Sequence, residues 1–135
     1  MREDLDPEPF IRRMYEAFNA EGVDAVAEDF FAAEIEYHDD AVWPGGGAHH
    51  GRQAVAARFE EVIAVLGITE AQVERVVHSG RKSAWVIRAV GHSPAASVPN
   101  DHRWGYVGRI ASGKLVCFRA YYDPAQALDA VGLEE

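Results

Sequence analysis

The stretch Arg103–Asp123, RWGYVGRIASGKLVCFRAYYD, reads as two strands folded back on each other at Ser112-Gly113. A Ser-Gly pair between two β-rich runs predicts a tight hairpin, because glycine adopts the positive φ of such turns without steric cost. In unbroken register outward from that turn, Arg103, Gly105, Val107 and Arg109 share a face with Tyr122, Ala120, Phe118 and Val116. The opposite face then carries Trp104, Tyr106 and Ile110 against Tyr121, Arg119 and Leu115, too aromatic to be left in water. Helices cover only one face in this reading, so a second subunit is expected on the other, giving a homodimer through the β-sheet.

Working upstream, Val73 to His78 and Ser83 to His92 are two further β-rich runs, bounded by Ser79-Gly80 and by the loop from Ser93 to Asp101. Together with the hairpin they form a meander of four strands. Before them the period is helical. Val55, Phe59, Val62, Ile63 and Leu66 make one apolar stripe over Arg52 to Leu66, closed by Gly67. Phe10, Ile11, Met14, Tyr15 and Phe18 make another, begun by Asp6-Pro7-Glu8-Pro9 with Asp6 as the cap and ended by Gly22. Val23 to Ala33 reads as a short second helix, and Ile35-Glu36-Tyr37-His38-Asp39 switches to strand alternation. Trp43-Pro44-Gly45-Gly46-Gly47 is a loop. Alternation puts Ile35, Tyr37 and Asp39 on one face, and the apolar pair marks it as inward.

The 135 residues are expected to form a single domain, residues 1–135. A net charge of −9 argues against nucleic-acid and anionic-membrane partners, which need a basic footprint. The acid excess is local: residues 1–40 hold 13 of the 22 acids and only three bases, largely on helix faces opposite the apolar stripes. Cys117 is the one cysteine, so no intrachain disulfide and no cysteine-built zinc site is available, and its simplest role is a packed small hydrophobe. No window has the length of a membrane span and the first residues lack a signal-peptide core, so the expected location is cytoplasmic.

The order of helices, strand, Gly/Pro loop, helix and meander resembles the SnoaL-like branch of the nuclear-transport-factor-two-like superfamily. The resemblance rests on Met14-Tyr15-Glu16-Ala17-Phe18-Asn19-Ala20, Ile35-Glu36-Tyr37-His38-Asp39, His50-Gly51-Arg52-Gln53-Ala54-Val55, Gly113-Lys114-Leu115-Val116 and Phe118-Arg119-Ala120-Tyr121-Tyr122-Asp123-Pro124. It implies an α+β fold in which three N-terminal helices pack on a strongly curved mixed β-sheet, forming a cone with an internal pocket. Relatives with this fold include polyketide cyclases, ketosteroid isomerases, epoxide hydrolases, dehydratases and non-enzymatic binders, so fold alone does not decide function.

Residue by residue, the resemblance puts Asp39 where the isomerases keep their base. Aromatic surroundings of Tyr37, Trp43 and Phe118 would desolvate that carboxylate and make it a better base near neutral pH. The isomerase donors are not matched: the helix position falls on Met14, with Tyr15 one residue away, and the strand position is Gly105. The epoxide-hydrolase arginine matches Arg88, but its paired acids fall on Val90 and Ala120. A cyclase needs only one acid/base group in an apolar cavity, and His38, Asp39, His92 and Asp123 are the groups available. The expected ligand contacts are Tyr15, Phe18, Tyr37, Trp43, Arg88, His92, Arg103, Phe118 and Tyr122.

Several of these have a plain structural reading. Asp123-Pro124-Ala125-Gln126 is also a cap, a first-turn proline and a capping-box glutamine for a final helix. Asp39-Asp40 equally suits the start of a loop, and His38 faces away from Asp39 in a regular strand. Arg88 either holds a ligand anion or pairs with Asp39, and His92 is otherwise a solvated strand end. His49-His50 lacks a third ligand at metal-site spacing, so neither a metal nor a cofactor is expected. The resulting expectation is a protein that binds a small, largely apolar organic molecule. Asp39, helped by His38 or Arg88, would then do acid/base chemistry in a cyclisation, isomerisation or dehydration. The other reading is a non-catalytic dimeric binder.

Overall fold

Pro7 and Pro9 open the first helix, where a missing N–H leaves no bond unmade, and α1 runs Glu8–Glu21. The computed structural model describes residues 7–41, 47–92 and 99–132, so Asp6, the expected cap, lies outside them. Gly22 ends α1 at φ 96° and donates its N–H to the Phe18 carbonyl at 2.9 Å. The helix α2 (Val23–Phe30) is shorter than expected, because the chain turns extended at Phe31 and puts that ring into the core as β1 (Phe31–His38). A short strand not expected from the sequence, β2 (Ala48–His50), pairs antiparallel with β1 and sets Tyr37 opposite His49. The third helix, α3 (Arg52–Leu66), has the expected bounds and is stopped by Gly67 in the left-handed region.

The meander follows as β3 (Ile68–Ser79), β4 (Lys82–His92), β5 (Pro99–Ala111) and β6 (Lys114–Tyr121). The strand order is β2-β1-β6-β5-β4-β3, and every neighbouring pair is antiparallel except β1 with β6. The sheet is therefore mixed and open, with α1, α2 and α3 over one face, as the resemblance implied. Register shifts in the β1–β6, β3–β4 and β5–β6 pairs mark bulges, which bend the strands and increase their twist.

One bulge overturns the expected faces of the hairpin. Ala111 pairs with Lys114 and Ile110 with Leu115, but Arg109 pairs with Cys117, so Val116 is an extra residue and every pair beyond it shifts by one. Tyr106 consequently lies opposite Ala120, and Gly108 opposite Phe118. Trp104, Tyr106, Phe118 and Ala120 thus share the buried face, where unbroken register had separated them. The outer face is covered as well, by α4 (Pro124–Gly132), whose Ala127 is fully buried. Gly105 lies beneath that helix: a Cβ there would meet the Ala127 Cβ at 2.6 Å. The grounds for a dimer through the sheet, an aromatic outer face without a helix, are thereby removed. Trp85, Tyr37, Ile11, Ile35, Leu115 and Val55 are the largest fully buried side chains, each contributing about 1.5–3 kcal/mol by leaving water.

Candidate functional site

The inward face of the sheet and the undersides of α1, α2 and α3 enclose a cavity of about 80 Å³. Met14, Tyr15 and Phe18 come from α1, Phe59, Val62 and Ile63 from α3, and Ile87, Ala89, Trp104, Tyr106 and Phe118 from the meander. These residues come together because each occupies the inward stripe or alternation of its own element. Polar groups on this lining are few. Tyr15 Oη accepts a hydrogen bond from Trp85 Nε1 at 3.1 Å. Burial pushes the Tyr15 phenol well above its ordinary value, and burial likewise raises Tyr106, reinforced by Tyr15 and Tyr37 nearby. Both hydroxyls therefore stay protonated and have an O–H to donate. Met14 and Tyr15 both line the cavity, so the residue step that seemed to misplace the tyrosine does not exclude it.

Asp39 follows β1 directly and is buried on the inward side, as alternation implied, but it does not line the cavity. Its carboxylate has no exposed side-chain surface and is fully engaged. Arg58 Nε reaches both oxygens at 3.1 and 3.0 Å, His49 Nε2 lies 2.9 Å from Oδ2, and the Gly47 N–H donates at 3.2 Å. Tyr37 closes the group: burial first, then the charge of Asp39 and a hydrogen bond to it, push its phenol far up. Burial opposes the Arg58 charge, but hydrogen bonds to Asp39 and Glu61 outweigh it and hold the guanidinium above its ordinary value. A carboxylate so held is an ion-pair partner, with no lone pair directed at a cavity ligand.

Arg58 and His49 are the members that sequence reading missed. The signal for Arg58 was present: it lies three residues after Val55 and four before Val62, on the apolar stripe itself, so a charged residue there needs a buried partner. His49 depends on the β1–β2 pairing, which has no strong sequence signature. His50 turns instead to Glu34 at 3.4 Å, so the two histidines do not converge.

The other expected contacts divide clearly. Phe18 and Phe118 line the cavity, and Tyr37 packs behind it in an aromatic cluster with Phe59, Tyr106 and Phe118. Arg88 is on the outer face and makes a two-pronged pair with Asp101 at 2.9 and 2.7 Å, so it reaches neither Asp39 nor the cavity. Arg103, its cross-strand neighbour, pairs with Glu74 at 2.7 Å. His38 lies opposite Arg119, on the face away from Tyr37. Asp123 is exposed and caps α4, its Oδ1 accepting the Ala125 N–H at 2.9 Å. Tyr122 is exposed, and its backbone N–H is held by Asp40. Trp43 and the side chain of His92 lie outside the described residues.

Gly105 faces α4, so it is not a pocket position, and the missing isomerase acid is explained by register: Trp104 and Tyr106 hold the inward places. Beyond Trp104, His102 stands opposite Ala89, with its ring 6.4 Å from the Trp104 ring. Among the described residues its Nε2 is buried without a hydrogen-bond partner. The sequence points to no role for it, since the strand expected from the β-rich run begins at Arg103.

The SnoaL-like domain family matches residues 11–118. The chain belongs to the SnoaL-like family. Solved structures with this fold include a SnoaL-like polyketide cyclase from Mesorhizobium loti, so described provisionally, at TM-score 0.67 and 16% identity, covering 87% of this chain and 100% of that one. A protein with a ketosteroid isomerase-like fold from Catenulispora acidiphila, in complex with trimethylamine, aligns at TM-score 0.71 and 19% identity over 96% and 95% of the two chains. An isomerase from Bacillus subtilis, also named provisionally, aligns at TM-score 0.74 and 13% identity over 97% and 95%. These solved structures share the fold with this chain. No curated protein matched the chain. Among the described residues, no helix is long and apolar enough to cross a membrane.

Proposed function

We propose that this SnoaL-like domain binds a small, largely apolar molecule carrying one hydrogen-bond-accepting oxygen, held by Tyr15 and Tyr106 inside the cone. The observation that carries this reading is a cavity walled by aromatic and aliphatic side chains in which the polar groups are protonated phenols. Two O–H donors in a low-dielectric enclosure favour a carbonyl or phenolate oxygen, since a donor left unpaired there is costly. Its volume of about 80 Å³ is roughly half that of the 150 Å³ cavity known to admit benzene, so the ligand enters by displacing lining side chains, of which the unbranched Met14 is the most adaptable. The engagement of Asp39 by Arg58 and His49 favours binding over proton abstraction by that carboxylate.

A second reading rests on His102. It does not line the cavity itself, but it stands opposite the lining residue Ala89 with a buried, unpartnered Nε2 near the Trp104 ring, and isomerisation or cyclisation of an activated carbonyl would use that nitrogen. A thermal-shift screen with simple aryl ketones tests the binding reading. A ketone should raise Tm in a concentration-dependent way, and Tyr15→Phe should weaken that ligand about tenfold. Ketones that leave Tm unchanged, or that act equally on Tyr15→Phe, overturn it. Turnover of a bound ketone that disappears in His102→Gln would favour the second.

A further inference from the structure

A second concavity lies at the opposite end of the sheet, where the start of α1 meets the β3–β4 and β5–β6 hairpin tips. It is an open cleft of about 830 Å³, far roomier than the interior cavity. Arg13, His78, Arg81 and Arg109 line it above an apolar floor that includes Phe10 and Ile110. No Asp or Glu is among the described residues that line it. That is unexpected in a chain with 22 acids and 13 bases, where an arginine placed at random meets a carboxylate easily.

Elsewhere five of the described arginines are held: Arg12 by Glu8, Arg52 by the Phe31 carbonyl, Arg58 by Asp39, Arg88 by Asp101 and Arg103 by Glu74. Arg13, Arg81 and Arg109 make no ion pair or side-chain hydrogen bond among the described residues. Only two other described arginines share that state, Arg75 and Arg119, both exposed and outside the cleft. Gathering three guanidinium groups without a carboxylate partner among the described residues in one concavity costs repulsion. Low-dielectric walls also focus their field into a positive potential. The tips are fixed by their turns: Gly80 at φ 60° leads a two-residue loop that presents Arg81, while Ser112 and Gly113, at φ 54° and 77°, form the other loop.

We propose that this cleft is a binding site for a phosphate monoester on an apolar body, separate from the interior cavity and independent of what that cavity binds. Guanidinium forks match phosphate oxygens in two-pronged fashion, and a monoester carries a charge near −1.5 to −2 at pH 7, suited to several arginines at once. Phe10 and Ile110 supply the surface for an aryl or alyphatic group next to the charge.

Calorimetric titration of the full chain with phenyl phosphate, inorganic phosphate and phenol tests this. Phenyl phosphate should bind saturably with one site, more tightly than inorganic phosphate, with phenol giving no signal and added salt weakening the interaction. Arg81→Ala/Arg109→Ala should weaken phenyl phosphate at least tenfold; both substituted side chains are exposed, so the fold is kept. Arg75→Ala/Arg119→Ala, with the same loss of charge, should change it less than twofold. Absence of saturable binding, equal weakening in both double variants, or inorganic phosphate or phenol binding as tightly as phenyl phosphate overturns the proposal. So does a loss of phenyl phosphate affinity in Tyr15→Phe, which would place that ligand in the interior cavity.

Discussion

At the scale of the residue, Asp39 shows how one buried carboxylate is made tolerable. Taking an ionised group out of water costs several kcal/mol unless charge and hydrogen bonds replace the lost solvation. Arg58, His49, the Gly47 N–H and Tyr37 together do this. Removing the guanidinium leaves the charge buried and unpaired, so Arg58→Ala should destabilise the protein by about 3–5 kcal/mol. The double variant Asp39→Asn/Arg58→Met should recover much of that loss. Urea unfolding of the single and double variants measures both, and additive losses would show that the pair does not act as a unit. The inward position of Asp39 was legible from alternation with Ile35 and Tyr37. Its partner was not read, since charged residues on a helix are usually solvated and Arg58 was one of many.

At the scale of the element, the bounds of α3 and the Ser112-Gly113 turn were legible because glycines and a clean apolar stripe mark them. The bulge at Val116 was not. An extra residue among Leu115, Val116, Cys117 and Phe118 leaves no compositional trace, yet it moves Trp104 and Tyr106 to the face of Phe118. The final helix has a similar lesson: Asp123-Pro124 predicts its start, but only the packing of Ala127 on Gly105 shows that it covers the outer face. Gly105→Val should therefore force α4 away from the sheet. The expected cost is about 1–3 kcal/mol, with faster hydrogen exchange confined to residues 124–132 and the strands beneath them. Unchanged exchange there would show that α4 does not depend on that contact.

At the scale of the whole molecule, the cone keeps three of the five tyrosines, Tyr15, Tyr37 and Tyr106, in surroundings that exclude the phenolate. Burial raises their folded-state values above the unfolded value near 10, so the neutral phenols bind protons more tightly in the folded protein. Their contribution to stability is complete below about pH 10 and is lost as pH rises beyond it toward the folded-state values. Ultraviolet titration of the phenols should thus show these three ionising together with unfolding, and Tm should fall above pH 10. Independent ionisation of all five in a folded chain would contradict the enclosure. Sequence alone determined the order of helices and strands apart from β2, the family and the inward direction of Asp39, because periodicity, turn glycines and alternation are local properties. The tertiary structure alone decided that Asp39 is spent on Arg58 and His49, that Arg88 faces outward to Asp101, and that Tyr15 and Tyr106 supply the polar groups of the cavity. Those outcomes depend on strand register and on which distant side chain reaches a buried charge first, and neither is carried by any short stretch of the chain.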